Sequence, residues 1–161
     1  MSIKPSISLN ISVHNGENYI LHCLDSIKNQ NFPKSEMELN IWDNASTDNT
    51  LGIIENGLGF RISDLGFARF SLIKSRENLG MWPAQEKLME RSNGKYIAVI
   101  SADIILDQDY AGNAVKIFEN DDELGAIEPK ILRFYLQNGL PGRGQPVFTD
   151  DIDTLGFKIF R

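Results

Sequence analysis

Apolar positions recur along this chain with two periods, and the two periods alternate. Ile7-Ser8-Leu9-Asn10-Ile11-Ser12-Val13 alternates apolar and polar and is rich in β-branched residues, which predicts a strand with an unusually polar second face. His14-Asn15-Gly16 breaks it. Tyr19, Ile20, Cys23, Leu24 and Ile27 then recur at helical spacing, predicting a helix over 17–30 that ends at Asn31-Phe32-Pro33-Lys34. Met37 to Trp42 is the second predicted strand. Ser46 or Thr47 is placed to cap the next helix, with Asp48 in its first turn, and Gly57 and Gly59 end it.

Residues 57–68 read as a loop and Phe70 to Ile73 as a third strand. A helix over 82–91 carries Pro83 in its first turn and stops at Asn93-Gly94. Tyr96 to Ile100 is the fourth strand, and a helix follows over 107–119, opening on Asp107-Gln108-Asp109. The order β-α-β-α-β-α-β-α predicts an α/β fold: a mostly parallel sheet with helices on both faces. Beyond Asp121 the pattern loosens. Leu124 to Ile127 and Lys130 to Tyr135 are candidate strands, Gly139 to Pro146 reads as loop, and Gly156-Phe157-Lys158-Ile159-Phe160 has a strand pattern.

Bulk properties narrow the class. The 161 residues are 42% hydrophobic, enough for the core of one domain spanning 1–161. Sixteen basic against 22 acidic residues give a net charge of −6, with the basic residues scattered, which argues against nucleic acid as partner. An anionic substrate then needs local help from a divalent cation or from backbone N–H groups. Cys23 is the single cysteine, so no intrachain disulfide forms, and its apolar setting reads as a buried small residue. No stretch approaches the ~20 apolar residues of a membrane span, and Met1-Ser2-Ile3-Lys4 opens directly onto a strand pattern, so a cytoplasmic protein is expected.

Candidate chemistry sits where predicted strands end, which is where open α/β sheets bind ligands. Ile41-Trp42-Asp43-Asn44-Ala45-Ser46-Thr47-Asp48 and Val99-Ile100-Ser101-Ala102-Asp103 are both apolar runs that end abruptly in small and acidic residues. A carboxylate at each suits a nucleotide base or ribose on one side and a metal-bound diphosphate on the other. Val13, His14, Asn15, Gly16 and Glu17 place backbone groups and a helix N-terminus at the same edge. Asp48 and Asn49 read as cap and dipole residues, Asp107 and Asp109 as helix-entry charges, and Asp150, Asp151 and Asp153 as a solvated loop.

Together these segments resemble the family 2 inverting glycosyltransferases of the GT-A fold, over about residues 5–130. Ile7 to Gln30 is similar to the family's opening strand, its Asn-Gly turn and the helix with Cys-Leu-Asp-Ser-Ile. Trp42 to Thr50 is similar to its Asp-Asn-Ala-Ser-Thr-Asp motif, Asn78-Leu79-Gly80 to its Asn-x-Gly turn, and Gly94 to Asp103 to the segment ending in its metal-binding DxD. The resemblance implies a nucleotide-sugar donor, UDP- or dTDP-linked, and transfer with inversion to the hydroxyl of a saccharide or lipid-linked acceptor. It implies work in cell-surface polysaccharide synthesis, at the inner face of the membrane. It gives the nucleotide to Val13, His14, Asn15, Glu17, Asp43, Asn78, Gly80, Ser101 and Ala102, with Asp43 on the base. Mg²⁺ or Mn²⁺ would be held by Asp103.

Three departures from the pattern stand out. Ser101 replaces the first DxD aspartate, where rhamnosyltransferase-like members often carry Asn. The helix after Asn78 reads Ala84-Gln85-Glu86-Lys87-Leu88 in place of the family's Ala-x-x-x-Asn-x-Gly. No segment resembling the family's late catalytic carboxylates is present, so the catalytic base is unassigned and an incomplete, rhamnosyltransferase-like donor half is expected. A binding module without chemistry is the rival reading. A nucleotidyltransferase is disfavoured, because His14-Asn15-Gly16-Glu17 lacks a Gly-x-Gly-x-Arg pattern.

Overall fold

A computed structural model describes residues 4–56, 62–137, 145–152 and 159–160. Four parallel strands form its central sheet: β1 (Ile7–Val13), β2 (Met37–Asp43), β3 (Arg69–Lys74) and β4 (Tyr96–Ser101), in spatial order β3-β2-β1-β4. Helices α1 (Ile20–Lys28), α2 (Thr50–Asn56) and α3 (Met81–Arg91) connect them, and α4 (Tyr110–Asn120) follows β4. Two antiparallel pairs complete the described part. One joins β5 (Ala126–Ile127) to β8 (Ile159–Phe160), the other β6 (Leu132–Gln137) to β7 (Gln145–Ile152).

Alternation in β1 separates two chemically different faces. Leu9 is in register with Leu39 and Ala98, and Ile11 with Ile41 and Ile100, so these side chains share one face. Onto that face α1 presents Ile20, Cys23, Leu24 and Ile27, a stripe at i, i+3, i+4 and i+7, and Ile54 of α2 and Ala111 and Ala114 of α4 join the same buried core. Each fully buried large aliphatic side chain there contributes about 1.5–3 kcal/mol.

The opposite face carries Ser8, Asn10 and Ser12 beside Glu38 and Asn40, and it is buried too, under α3. Most of its polar groups are paired with one another, while Gln85 Oε1 and Trp42 Nε1 are buried without a hydrogen-bond partner. Asn40 Nδ2 donates to Asn10 Oδ1 at 3.1 Å, Ser71 Oγ to Asn40 Oδ1 at 2.6 Å, and Asn10 Nδ2 to Ser92 Oγ at 3.0 Å. Gln85 Nε2 reaches Asn10 O and Ser12 Oγ, both at 3.3 Å. Only a small apolar cluster, Trp42 with Ala84 and Leu88, supplements this network. The polar half of the β1 pattern is therefore an internal interface, not a solvated one.

Glu38 anchors the amino-terminal end of this face. Its carboxylate accepts from the Ser8 hydroxyl, from Asn93 N at 2.7 Å and from Asn93 Nδ2 at 2.8 Å, with Arg69 Nε at 3.7 Å. Burial pushes this carboxyl up, but the donated hydrogen bonds outweigh it and hold the group below its ordinary value. Gly94 packs against the same point: a Cβ there would stand 2.5 Å from Ser8 N, so no larger residue fits without a shift.

Several element boundaries differ from expectation for identifiable reasons. α1 starts at Ile20, not 17, because Gly16 O accepts from both Tyr19 N and Ile20 N in a turn. It ends at Lys28, and Gln30 turns inward to Asp107 O at 2.7 Å and Ala111 N at 2.9 Å. α4 starts at Tyr110, since Asp107 first closes a turn by accepting Asp109 N at 2.9 Å. Ser46 and Thr47 do not cap α2; Asp48 Oδ1 accepts Thr50 N at 3.0 Å instead. The expected loop contains a short 3-10 helix at Ile62–Leu65, whose Ile62 is buried. Gln145, Pro146, Asp150 and Asp151 belong to β7 and not to loops, Pro146 standing near a strand start. Gly57, Gly59, residues 139–144, Asp153 and 156–158 lie outside the described residues.

Candidate functional site: the carboxyl edge of the sheet

Parallel registry brings the ends of β1, β2 and β4 together. Val13 is level with Asp43, and Ser12 with Trp42 and Ser101, so the segments carrying Asp43 and Asp103 leave the same edge of adjacent strands. The turn after β1 is locked to the turn after β2. Asn44 N donates to Val13 O at 2.7 Å, and His14 Nδ1 lies 3.0 Å from Asn44 O. Asn15, at φ 53°, donates its N–H to Ser46 Oγ at 3.0 Å and accepts Thr47 N at 2.8 Å on Oδ1. Asparagine tolerates this left-handed backbone better than most residues.

Glu17 and Asp48 complete the lock by exchange. Glu17 N donates to Asp48 Oδ2 at 3.1 Å, while Asn49 N donates to Glu17 Oε2 at 3.0 Å. Gly16 N donates to Thr50 Oγ1 at 2.8 Å. Burial raises the Asp48 carboxyl, and the hydrogen bonds from the Thr50 hydroxyl and N–H and from Glu17 N more than reverse this. Asp48 thus caps α2, as its position suggested, and also ties that helix to the β1 turn. Glu17, expected to face a nucleotide, spends one carboxylate oxygen on this lock.

Asp43 is 1% exposed. Its Oδ2 accepts Ser46 N at 3.3 Å, whereas Oδ1 is buried without a hydrogen-bond partner. An unsatisfied buried carboxylate oxygen is costly, and one left unpaired at a sheet edge is a candidate contact for a ligand donor. Beside it, Asn44 organises the third wall. Its Nδ2 donates to Asn78 Oδ1 at 2.8 Å and Gly80 O at 3.1 Å, and its Oδ1 accepts Leu79 N at 2.8 Å. Asn78 Oδ1 also accepts Gly80 N at 2.9 Å, and Gly80 takes φ 84°, a conformation suited to glycine, just before α3. Sequence reasoning named Asn78 and Gly80 but missed Asn44. Its signal was a polar residue one step past a strand end, which a turn explains equally well.

On the other flank, Ser101 and Asp103 are exposed and Ala102 is 8% exposed. The Ser101 hydroxyl donates to Asp103 Oδ1. Cys23, buried below, places its thiol 3.8 Å from Ser101 O; burial, with a smaller push from the Asp103 charge, raises it to about 12, so it is an inert core residue. Among the described residues no three His, Cys, Asp or Glu side chains gather to hold a metal. One exposed carboxylate still fits Mg²⁺ or Mn²⁺ when phosphate oxygens and water supply the other ligands, the usual manner for Mg²⁺ beside nucleotides.

The expected site residues thus lie in the segments that leave one edge of the sheet, while their contact with a nucleotide is a matter of proposal. Val13 serves as a packing residue: Gly16 sits against it so closely that a Cβ on Gly16 would meet Val13 Cγ2 at 2.6 Å.

The profile described as "Glycosyl transferase family 2" matches residues 8–140. This chain belongs to that family. Among family relatives, the poly(ribitol-phosphate) beta-N-acetylglucosaminyltransferase TarS of Staphylococcus aureus is 27% identical over 143 residues, covering 86% of this chain and 22% of that protein. The putative glycosyltransferase EpsH of Bacillus subtilis is 30% identical over 120 residues, 74% of this chain and 32% of EpsH. The chain therefore spans less than a third of the length of each of these relatives.

Solved glycosyltransferase structures share the fold. The mannosyltransferase PcManGT of Pyrobaculum calidifontis, in complex with GDP-Man and Mn²⁺, superposes with a TM-score of 0.69 at 23% identity, covering 81% of this chain and 36% of that one. S. aureus TarS 1-349 in complex with UDP gives 0.62 at 22% identity, covering 88% and 38%. The mostly parallel GT-A sheet expected from the sequence is thus the fold of this glycosyltransferase domain. Among the described residues no helix is long and apolar enough to cross a membrane.

Proposed function

We propose that residues 1–161 form the donor-binding domain of an inverting glycosyltransferase that takes a UDP- or dTDP-sugar. The observation that carries this reading is the open Oδ1 of Asp43, buried at the sheet edge and aimed at no protein donor. Uracil and thymine both present a ring N–H flanked by carbonyls, and that N–H suits a buried carboxylate oxygen. The His14-Asn15 turn and the Asn78-Gly80 turn, both fixed to Asn44, wall the base on either side. Asp103, oriented by the Ser101 hydroxyl, faces the diphosphate end.

In the proposed reaction a base deprotonates the acceptor hydroxyl, which attacks the anomeric carbon as the nucleoside diphosphate leaves with inversion. A divalent cation on Asp103 would supply charge neutralisation of that leaving group. Asp43 and the two turns hold the nucleoside, and Ser101 holds the Asp103 carboxylate. The acceptor is a saccharide or a lipid-linked saccharide of cell-surface polysaccharide synthesis, met at the cytoplasmic face of the membrane. The acceptor base is unassigned, and the donor half is read as rhamnosyltransferase-like.

Titration of the chain with UDP, dTDP and GDP, each with and without Mn²⁺, tests this reading. Preference for the two pyrimidine nucleotides supports it, and equal or stronger binding of GDP contradicts the base assignment. A second reading, a binding module without chemistry, is favoured by the single carboxylate at Ser101-Ala102-Asp103. Donor hydrolysis or transfer by the full-length protein excludes it.

A further inference from the structure

A cleft of about 240 Å³ runs along one flank of α1. One wall is a polar stripe, His22, Asp25 and Asn29, spaced so that all three lie on one side of the helix. The other wall is apolar, Ile105 and Leu106 from the segment that leaves Asp103 together with Pro146 of β7, and Gln108 also lines the cleft.

The chemistry of this lining selects a ligand class. Among the described residues no Lys or Arg lines the cleft, so a phosphate or other anion finds no counter-charge there. Among the described residues Asp25 is the only carboxylate lining it, and without substrate phosphates beside it one carboxylate is too few for a bound metal ion. His22 Nε2 is itself buried, so the polar groups presented to the cleft are the Asp25 carboxylate, whose Oδ2 accepts from Asn29 Nδ2 at 3.1 Å, and the Gln108 side chain. The cleft thus offers acceptors and donors on one side and a hydrocarbon strip on the other. A neutral ring with hydroxyls around its rim and C–H groups on its face matches both walls. The volume lies below the about 300–1,000 Å³ of typical drug-sized pockets, which leaves room for one ring.

We propose that this cleft is a saccharide subsite that binds a sugar unit remote from the reacting centre. That role rests on reading the carboxyl edge as a donor site. The link between the two is built into the wall: Ser26 Oγ accepts Leu106 N at 3.0 Å and donates to Cys23 O at 2.7 Å, and Ile104 N donates to Ser101 O at 3.3 Å. A ring seated on Leu106 bears on the segment that carries Asp103.

The test is an NMR titration of the ¹⁵N-labelled chain with cellobiose and with N,N′-diacetylchitobiose, beside a separate UDP titration. At least one disaccharide is expected to shift the amides of 22–29 and 105–108. Asp25→Ala and Gln108→Ala, both at exposed positions, are each expected to weaken that disaccharide about tenfold, the loss of one hydrogen bond to or from a polar ligand group, while UDP binding is unchanged. UDP binding with no disaccharide shifts at α1, or with variants that bind the sugar as the parent does, overturns the subsite and leaves the donor reading standing. Disaccharide shifts at α1 without UDP binding support the subsite and contradict the donor reading.

Discussion

Asn44 Nδ2 and Asn78 Oδ1 lie 2.8 Å apart, and this hydrogen bond joins two turns separated by 34 residues. The turn leaving β2 and the turn entering α3 are thereby tied to each other. Because Asn44 is 3% exposed, its three hydrogen bonds to residues 78–80 are shielded from water and lose their partners together on truncation.

Asn44→Ala is expected to lower stability by about 1–3 kcal/mol, the cost of buried groups left unpaired, and to weaken nucleotide binding as well. Urea unfolding and UDP calorimetry on the same sample check this. An unchanged midpoint and unchanged affinity would show that the two turns are positioned independently.

Glu38 makes stability depend on pH. Its folded-state carboxyl titrates below the ordinary 4.5, so ionised Glu38 stabilises the fold at neutral pH, and that stabilisation is lost as the pH falls from about 4.5 through the lower folded-state value. Glu38→Gln should be less stable than the parent at pH 7 and show a flatter decline in acid. Denaturant midpoints measured from pH 7 down to pH 3 separate the two; parallel curves would remove Glu38 from the acid response.

Gly94 tests the packing of the polar face. Gly94→Ala puts a methyl group 2.5 Å from Ser8 N and 2.7 Å from Ser8 Oγ, and backbone offers no easy retreat. A loss of about 1–3 kcal/mol in thermal or urea unfolding is expected. A neutral outcome would mean that β4 can slide away from β1 at its first residues.

Ser101 tests the metal flank. Ser101→Asp adds a second charged oxygen beside Asp103, and hard cations favour such ligands. Binding of UDP with Mn²⁺ should tighten, while binding without metal should weaken or stay unchanged. Tightening without metal, or no change with it, counts against a cation at Asp103.

Strict alternation made β1 legible in the sequence, and the stripe Ile20, Cys23, Leu24, Ile27 did the same for α1. Strand-end acids gave Asp43 and Asp103 a shared edge that the parallel register bears out. What stayed hidden depends on long-range pairing. The polar side of β1 could not be distinguished from a solvent face until Asn40, Ser71, Ser92 and Gln85 appeared opposite it. β7 was masked by glycine and proline turn signals preceding it, and the Ile62–Leu65 turn was too short to show a period. Asn44 was hidden for a similar reason, because its partners at 78–80 are distant in sequence.

The central claim, that the open Oδ1 of Asp43 receives the base of a pyrimidine nucleotide, is tested most directly by calorimetry of UDP with the parent chain and with Asp43→Ala. The account predicts that the substitution weakens UDP by about 1.5–3 kcal/mol, the worth of a hydrogen bond to a charged group, while the protein remains folded. Equal affinity for parent and variant would contradict it.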